Sequence, residues 1–164
     1  MQDTMTTLDR SATSSRLLRL CLLLVLSMVS GCVDLPQRVN PYLHNLRAEA
    51  EKGDPEAQYR YGWRCQVGWG VKENPREALW WYRQASQKNH SLAIFRLGEF
   101  YRDGIEVHAD LVEAYKWFQV AEKGGLAWGA QAIEQISPRM QPQEIKIAKE
   151  RAEEWLQKYQ RPKK

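Results

Sequence analysis

A shift of 36 residues lays the middle of this chain onto itself, and no other feature restricts its fold as strongly. In that register Ala57 meets Ala93, Arg60 meets Arg96, Gly62 meets Gly98 and Gly68 meets Gly104. Val71 then meets Val107, Glu77-Ala78 meets Glu113-Ala114, Trp81 meets Trp117 and Ala85 meets Ala121, with Tyr82 and Phe118 as a conservative pair. A unit of this size has an apolar face that it cannot bury alone. Neighbouring units must therefore stack in a row.

Each unit reads as two helices. Asp54-Pro55 opens the first with a side-chain cap and a proline at a position that needs no amide donor. Ala57, Tyr61 and Cys65 recur every four residues on one face, with Gly62 beside them. Gly68 and Gly70 end that helix. Asn74-Pro75-Arg76-Glu77 has the spacing of a capping box, which Asp110-Leu111-Val112-Glu113 repeats. Ala78, Trp81-Tyr82 and Ala85 form the buried stripe of the second helix, and Asn89 or Gly124-Gly125 stops it.

These residues resemble the Sel1-like repeat, a relative of the tetratricopeptide repeat. Its pattern is Ala-x-x-x-Leu-Gly-x-x-Tyr-x-x-Gly-x-Gly-Val, a polar cap, then Ala-x-x-Trp-Tyr-x-x-Ala. The first unit matches at Ala57, Gly62, Gly68, Gly70, Val71, Ala78, Trp81, Tyr82 and Ala85, with Tyr61 for Leu and Cys65 for Tyr. The second matches at Ala93, Leu97, Gly98, Tyr101, Gly104, Val107, Asp110, Ala114, Trp117 and Ala121, with Glu106 in place of the second Gly, a change expected to alter the loop after Gly104. The resemblance implies an all-α fold, a short α-solenoid of antiparallel helix hairpins, used for protein–protein interaction.

Repeats at about 53–88 and 89–124 are fewer than the three or so that close a solenoid core. The flanks supply the missing layers: a lone helix from Tyr42 to Lys52, a partial third unit opened by a helix from Leu126 to Ile136, and a final helix. On that last helix Ile145, Ala148, Ala152, Trp155, Leu156 and Tyr159 share one face, opposite charged Lys146, Lys149, Glu150, Glu153 and Lys158, as expected of a C-terminal cap. The repeat domain is expected to run over 41–160, its third unit and cap over 125–160.

Residues 1–31 read as an export signal. Arg10, Arg16 and Arg19 precede an apolar run from Leu20 to Val29, too short for a bilayer span of about 20 residues. Met1 and Met5 both stand upstream as start points. Val29-Ser30-Gly31-Cys32 resembles the lipobox of bacterial lipoproteins, which implies cleavage before Cys32 and its acylation, with residues 32–40 as a lipidated tether. Val33, where an Asp would retain an enterobacterial lipoprotein in the inner membrane, points to the outer membrane and a periplasm-facing domain. Asp34 one place later points the other way. The alternative to the lipoprotein reading is an ordinary secretory signal, or a non-cleaved anchor, with Cys32 incidental.

The face left over after packing carries the binding expectation. On the first helix of each unit, positions about 120° from the buried stripe look into the concave side of such a solenoid. They are Glu56, Tyr59, Trp63 and Gln66, then Leu92, Phe95, Glu99 and Arg102, then Trp128, Gln131 and Gln135. Trp, Tyr and Arg concentrate at binding hot spots, so a groove for a peptide or protein partner is expected at Tyr59, Trp63, Gln66, Phe95, Glu99, Arg102 and Trp128. The competing reading is that these rings pack on one another, and Trp69 serves either as a lid or as a loop anchor.

Catalytic chemistry has little to stand on. His44, His90 and His108 lack metal-ligand spacing, no phosphate loop or nucleophile elbow occurs, and His90 at a helix start reads as a cap or surface residue. Cys65 reads as a buried thiol, and neither metal nor cofactor is expected. The paired cysteines of Sel1-like proteins linked to cell-wall chemistry are missing. A formal charge of +4, with both signs interspersed, does not call for nucleic acid. Three readings follow: an envelope adaptor binding a protein or peptide, a peptidoglycan or glycan binder, and a cell-wall-active enzyme.

Overall fold

The structure is a computed structural model that describes residues 41–159. The signal-like segment 1–31, Cys32 with its tether 32–40, and residues 160–164 lie outside the described residues. Seven α-helices follow one another with no strand among the described residues: α1 (Pro41–Lys52), α2 (Pro55–Val67), α3 (Pro75–Ser86), α4 (Ser91–Asp103), α5 (Leu111–Lys123), α6 (Trp128–Ile136) and α7 (Pro142–Tyr159). A single 3-10 turn, Ser137–Arg139, joins the last two. Helices α2 and α3 form one hairpin, α4 and α5 the next. The all-α solenoid expected from the repeat is what the chain forms.

The two hairpin loops are near copies. Gly68 (φ 70°) and Gly104 (φ 71°) end α2 and α4 in the left-handed region, each donating its amide to the carbonyl four residues back, Arg64 and Phe100. The loops then fold back on the helices they left: Asn74 N–H donates to the Cys65 carbonyl at 2.7 Å, and Asp110 N–H to that of Tyr101 at 2.9 Å. This corrects the expected capping boxes. The cap side chains do accept from Glu77 N–H (3.1 Å) and Glu113 N–H (3.1 Å), but the cap amides are already bonded to the preceding helix. Glu77 and Glu113 turn to other partners. The half of the box that those two helices lack appears at α7, where Gln141 N–H donates to Glu144 Oε2 at 2.7 Å. Glu106 keeps the left-handed conformation (φ 57°) that Gly70 has in the first unit (φ 78°), so the loop path survives the loss of glycine.

Burial follows the repeat. Ala57, Tyr61, Cys65, Ala78, Trp81, Tyr82 and Ala85 form one core with Leu46 and Ala50 of α1 below and Ala93, Leu97 and Phe100 of α4 above. Ala114, Tyr115 and Phe118 meet Ala132, Ile136 and Ala148, while Ile94, Val120 and Ala121 meet Ala152, so α7 closes the end of the stack as a cap. Arg151 of α7 pins this closure by a 2.7 Å ion pair to Glu113. Helix α6 begins at Trp128, two residues after the expected Leu126 and one later than the register of Pro55 and Ser91, and Ala127 before it offers no side-chain cap.

Small residues set the spacing. A Cβ built on Gly62 would lie 3.0 Å from the Tyr82 ring, and one on Gly98 only 2.5 Å from Phe118. Gly129, in register with Ala57 and Ala93, would meet the Phe118 carbonyl oxygen at 2.4 Å and Glu122 N at 2.7 Å. A ring can rotate away and helix backbone cannot. Gly129→Ala should therefore destabilise the protein by about 2–3 kcal/mol, and Gly98→Ala by less, as urea unfolding would show. Cys65 is free and buried, and burial first, with Glu77 second, pushes its thiol up to about 12. Its alkylation by iodoacetamide at pH 8 should track global unfolding, with no fast phase in the native protein.

Candidate functional site: a groove across three first helices

The first helices of successive units, α2, α4 and α6, contribute to a concave groove of about 410 Å³. Tyr59 comes from α2, Leu92, Phe95, Arg96, Glu99 and Arg102 from α4, and Trp128, Gln131, Ala132 and Gln135 from α6. Eight of these ten positions are those the helical wheel puts on the concave face. The helices hold the rings in place: Tyr59 stacks on His90 (centroids 4.9 Å apart), and Phe95 meets Phe118 at 5.2 Å and Trp128 at 6.1 Å. Trp128 remains 58% exposed, so its surface is available to a partner.

Charge runs along the same wall. Arg96 pairs with Glu99 at 2.7 Å, and Arg102 lies 4.0 Å from Glu99 and bonds Asp103 with both forks, at 2.7 and 2.8 Å. The groove thus offers aromatic faces beside two guanidinium groups and two side-chain amides. That is a surface for a polar chain with apolar anchors.

Trp63 and Gln66 do not join it. Trp63 packs edge-on against Trp69 at 5.6 Å, and Gln66 Oε1 accepts the Tyr82 hydroxyl at 2.7 Å. The repeat explains the difference. The residue matching Tyr82 is Phe118, which has no hydroxyl, and the residue matching Gln66 is Arg102. Without that tether Arg102 lines the groove. Glu56 is drawn away as well, to His90 Nε2 at 2.8 Å. Arg96 escaped the sequence reading because its identity with Arg60 marked it as part of the repeat. Its spacing of three from Glu99 was the available signal. Ala132 carried none.

His90 caps α4: its Nδ1 accepts from Ala93 N–H at 3.3 Å, which places the ring proton on Nε2, facing Glu56. His44 and His108 are exposed. Among the described residues no group of three or more His, Cys, Asp or Glu could hold a metal ion, and no helix is long and apolar enough to cross a membrane.

Comparison with known proteins agrees with the geometry. Residues 55–90 and 91–126 each match the Sel1 repeat family. A Sel1-like repeat-containing protein of Acanthamoeba polyphaga mimivirus is 28% identical over 93 residues, 57% of this chain and 17% of that one. A protective antigen of uropathogenic Escherichia coli with an SLR fold superimposes with a TM-score of 0.69 at 28% identity, over 71% of this chain and 25% of the other. A Sel1 repeat protein from Oxalobacter formigenes gives 0.55 at 29% identity, over 57% and 38%. The chain therefore spans well under half the length of these relatives. Residues 55–126 thus carry two tandem Sel1 repeats, and such repeats are generally protein–protein interaction modules.

The His90 hydrogen bond, ahead of the bond from Arg60, holds the Glu56 carboxyl below its ordinary value of 4.5. A carboxylate lowered on folding contributes stability that is full above its unfolded value and lost as pH falls through the folded one. His90→Asn keeps a capping oxygen for Ala93 but is too short to reach Glu56. In an NMR titration, the Glu56 midpoint should lie below 4.5 in the native protein and move back towards it in the variant.

Proposed function

We propose that this chain is a membrane-anchored adaptor of the bacterial envelope that holds a peptide or protein segment in the groove and performs no chemistry on it. The observation that carries this reading is the groove wall on α4 and α6. There Arg102 is half-buried and Trp128 exposed, both outside the core clusters, beside Phe95, which packs against the core with one side and lines the groove with the other. The Val29-Ser30-Gly31-Cys32 box supports a lipid on Cys32 as the anchor, and Val33 supports the outer membrane with the repeats facing the periplasm. The readings as a glycan binder or a cell-wall enzyme lack such an observation.

Trp128→Ala and Arg102→Ala test the groove against Trp80→Ala, which removes an equally exposed ring (52%) on α3. Trp128→Ala should change stability by less than about 1 kcal/mol. Capture of one stoichiometric protein from detergent-solubilised envelopes should weaken roughly 30-fold or more in the groove variants and stay unchanged for Trp80→Ala. Equal capture by all three variants would sink the groove. Cosedimentation with purified sacculi that is lost in the groove variants would give it to a glycan instead.

A further inference from the structure

The first unit departs from its twin at one more place. Trp69 stands in the Gly68–Gly70 loop with 59% of its surface exposed, whereas Ile105, its counterpart, is half-buried against the core. Arg64 occupies the position of Phe100, which is fully buried. The guanidinium of Arg64 lies 4.4 Å from the Trp69 ring centroid and 5.1 Å from that of Tyr42, and it donates to the Trp69 carbonyl at 3.3 Å. Trp63 braces the other edge of Trp69. Val67, 48% exposed, lies one turn beyond Trp63 on α2. Trp69 and Tyr42 are thus held outward, by packing and a cation, where the second unit turns Ile105 partly into the core and buries Phe100.

We propose that Trp69, Tyr42 and Val67 rest in the headgroup layer of the membrane to which Cys32 is attached. This rests on the lipid anchor named above. Two arguments select a bilayer as the occupant. Trp and Tyr combine an apolar body with a polar tip, which suits the water–lipid boundary, and an arginine between them can direct its charge to phosphates. The tether then limits the distance: Cys32 precedes Pro41 by nine residues, a reach of about 30 Å at full extension, and the chain enters α1 beside Tyr42. The first described residue, Pro41, and the aromatic cluster are therefore at the same place on the molecule. With this end on the lipid, the groove on α4 and α6 lies further along the stack.

The test uses the full, cell-processed protein reconstituted into vesicles of phosphatidylethanolamine and phosphatidylglycerol whose acyl chains are brominated near the headgroup. Bromine should quench the tryptophan emission. Trp69→Phe should lose most of that lipid-dependent quenching, and Trp80→Phe, which removes an exposed ring outside the cluster, should keep it. A spin label on Val67→Cys gives a second reading that leaves Trp69 in place. Buried Cys65 stays unlabelled, and the nitroxide should be more accessible to oxygen than to a water-soluble nickel complex. Quenching unaltered in Trp69→Phe, or a label more accessible to nickel, overturns the proposal while the anchor stands. Mass spectrometry of Cys32 decides the anchor separately: an unmodified thiol removes that reading and this one with it.

Discussion

The close approach of consecutive helices at Gly62, Gly98 and Gly129 is the constraint on which the rest of the structure depends. Tyr82 fills the space beside Gly62, Phe118 the space beside Gly98, and the Phe118 backbone itself lies against Gly129. The first two contacts set how closely the two helices of a hairpin pack, the third how far one unit stands from the next, and protein interiors tolerate little error in such distances. Because the spacing repeats, the first helices of the units are brought side by side, and their outward residues face a common hollow. The groove is a consequence of these notches.

Against that regular frame, single-atom differences between the units decide what each does. The Tyr82 hydroxyl ties down Gln66 in the first unit; Phe118 has no hydroxyl, and Arg102 lines the groove. Trp81 Nε1 donates to Glu77 Oε1 at 3.4 Å, but in the second unit both oxygens of Glu113 are taken by Lys116 and Arg151. Trp117 Nε1 is left buried without a protein partner. That indole gives up its acceptor to the salt bridge that holds the cap helix. Truncating a solenoid after so few units exposes a core face, and α7, through Ala148, Ala152, Trp155 and Arg151, is what covers it.

Much of the fold was legible because local rules and the repeat agreed. Asp54 and Asn74 cap where expected, Gly68 and Gly104 turn where expected, and the Ala57-Tyr61-Cys65 and Ala78-Trp81-Tyr82-Ala85 stripes are buried. The capping boxes failed because a loop amide chose a carbonyl on the preceding helix, Cys65 or Tyr101, a partner that sequence spacing does not reveal. In the groove, Tyr59, Phe95, Glu99, Arg102 and Trp128 were placed by helical phase alone. Trp63 and Gln66 were not, since phase gives direction but not which neighbour captures a side chain that points there.

The sequence by itself determined the unit length, the helix pairs, the buried stripes and the direction of the concave face, because periodicity and capping act within a few residues of each other. Tertiary structure alone decided which outward residues stay available and which are claimed. A hydroxyl on α3 binds Gln66, a histidine on the next unit takes Glu56, and Trp69 turns to Trp63 and Arg64. Those outcomes depend on distances between helices, which arise only when the units stack.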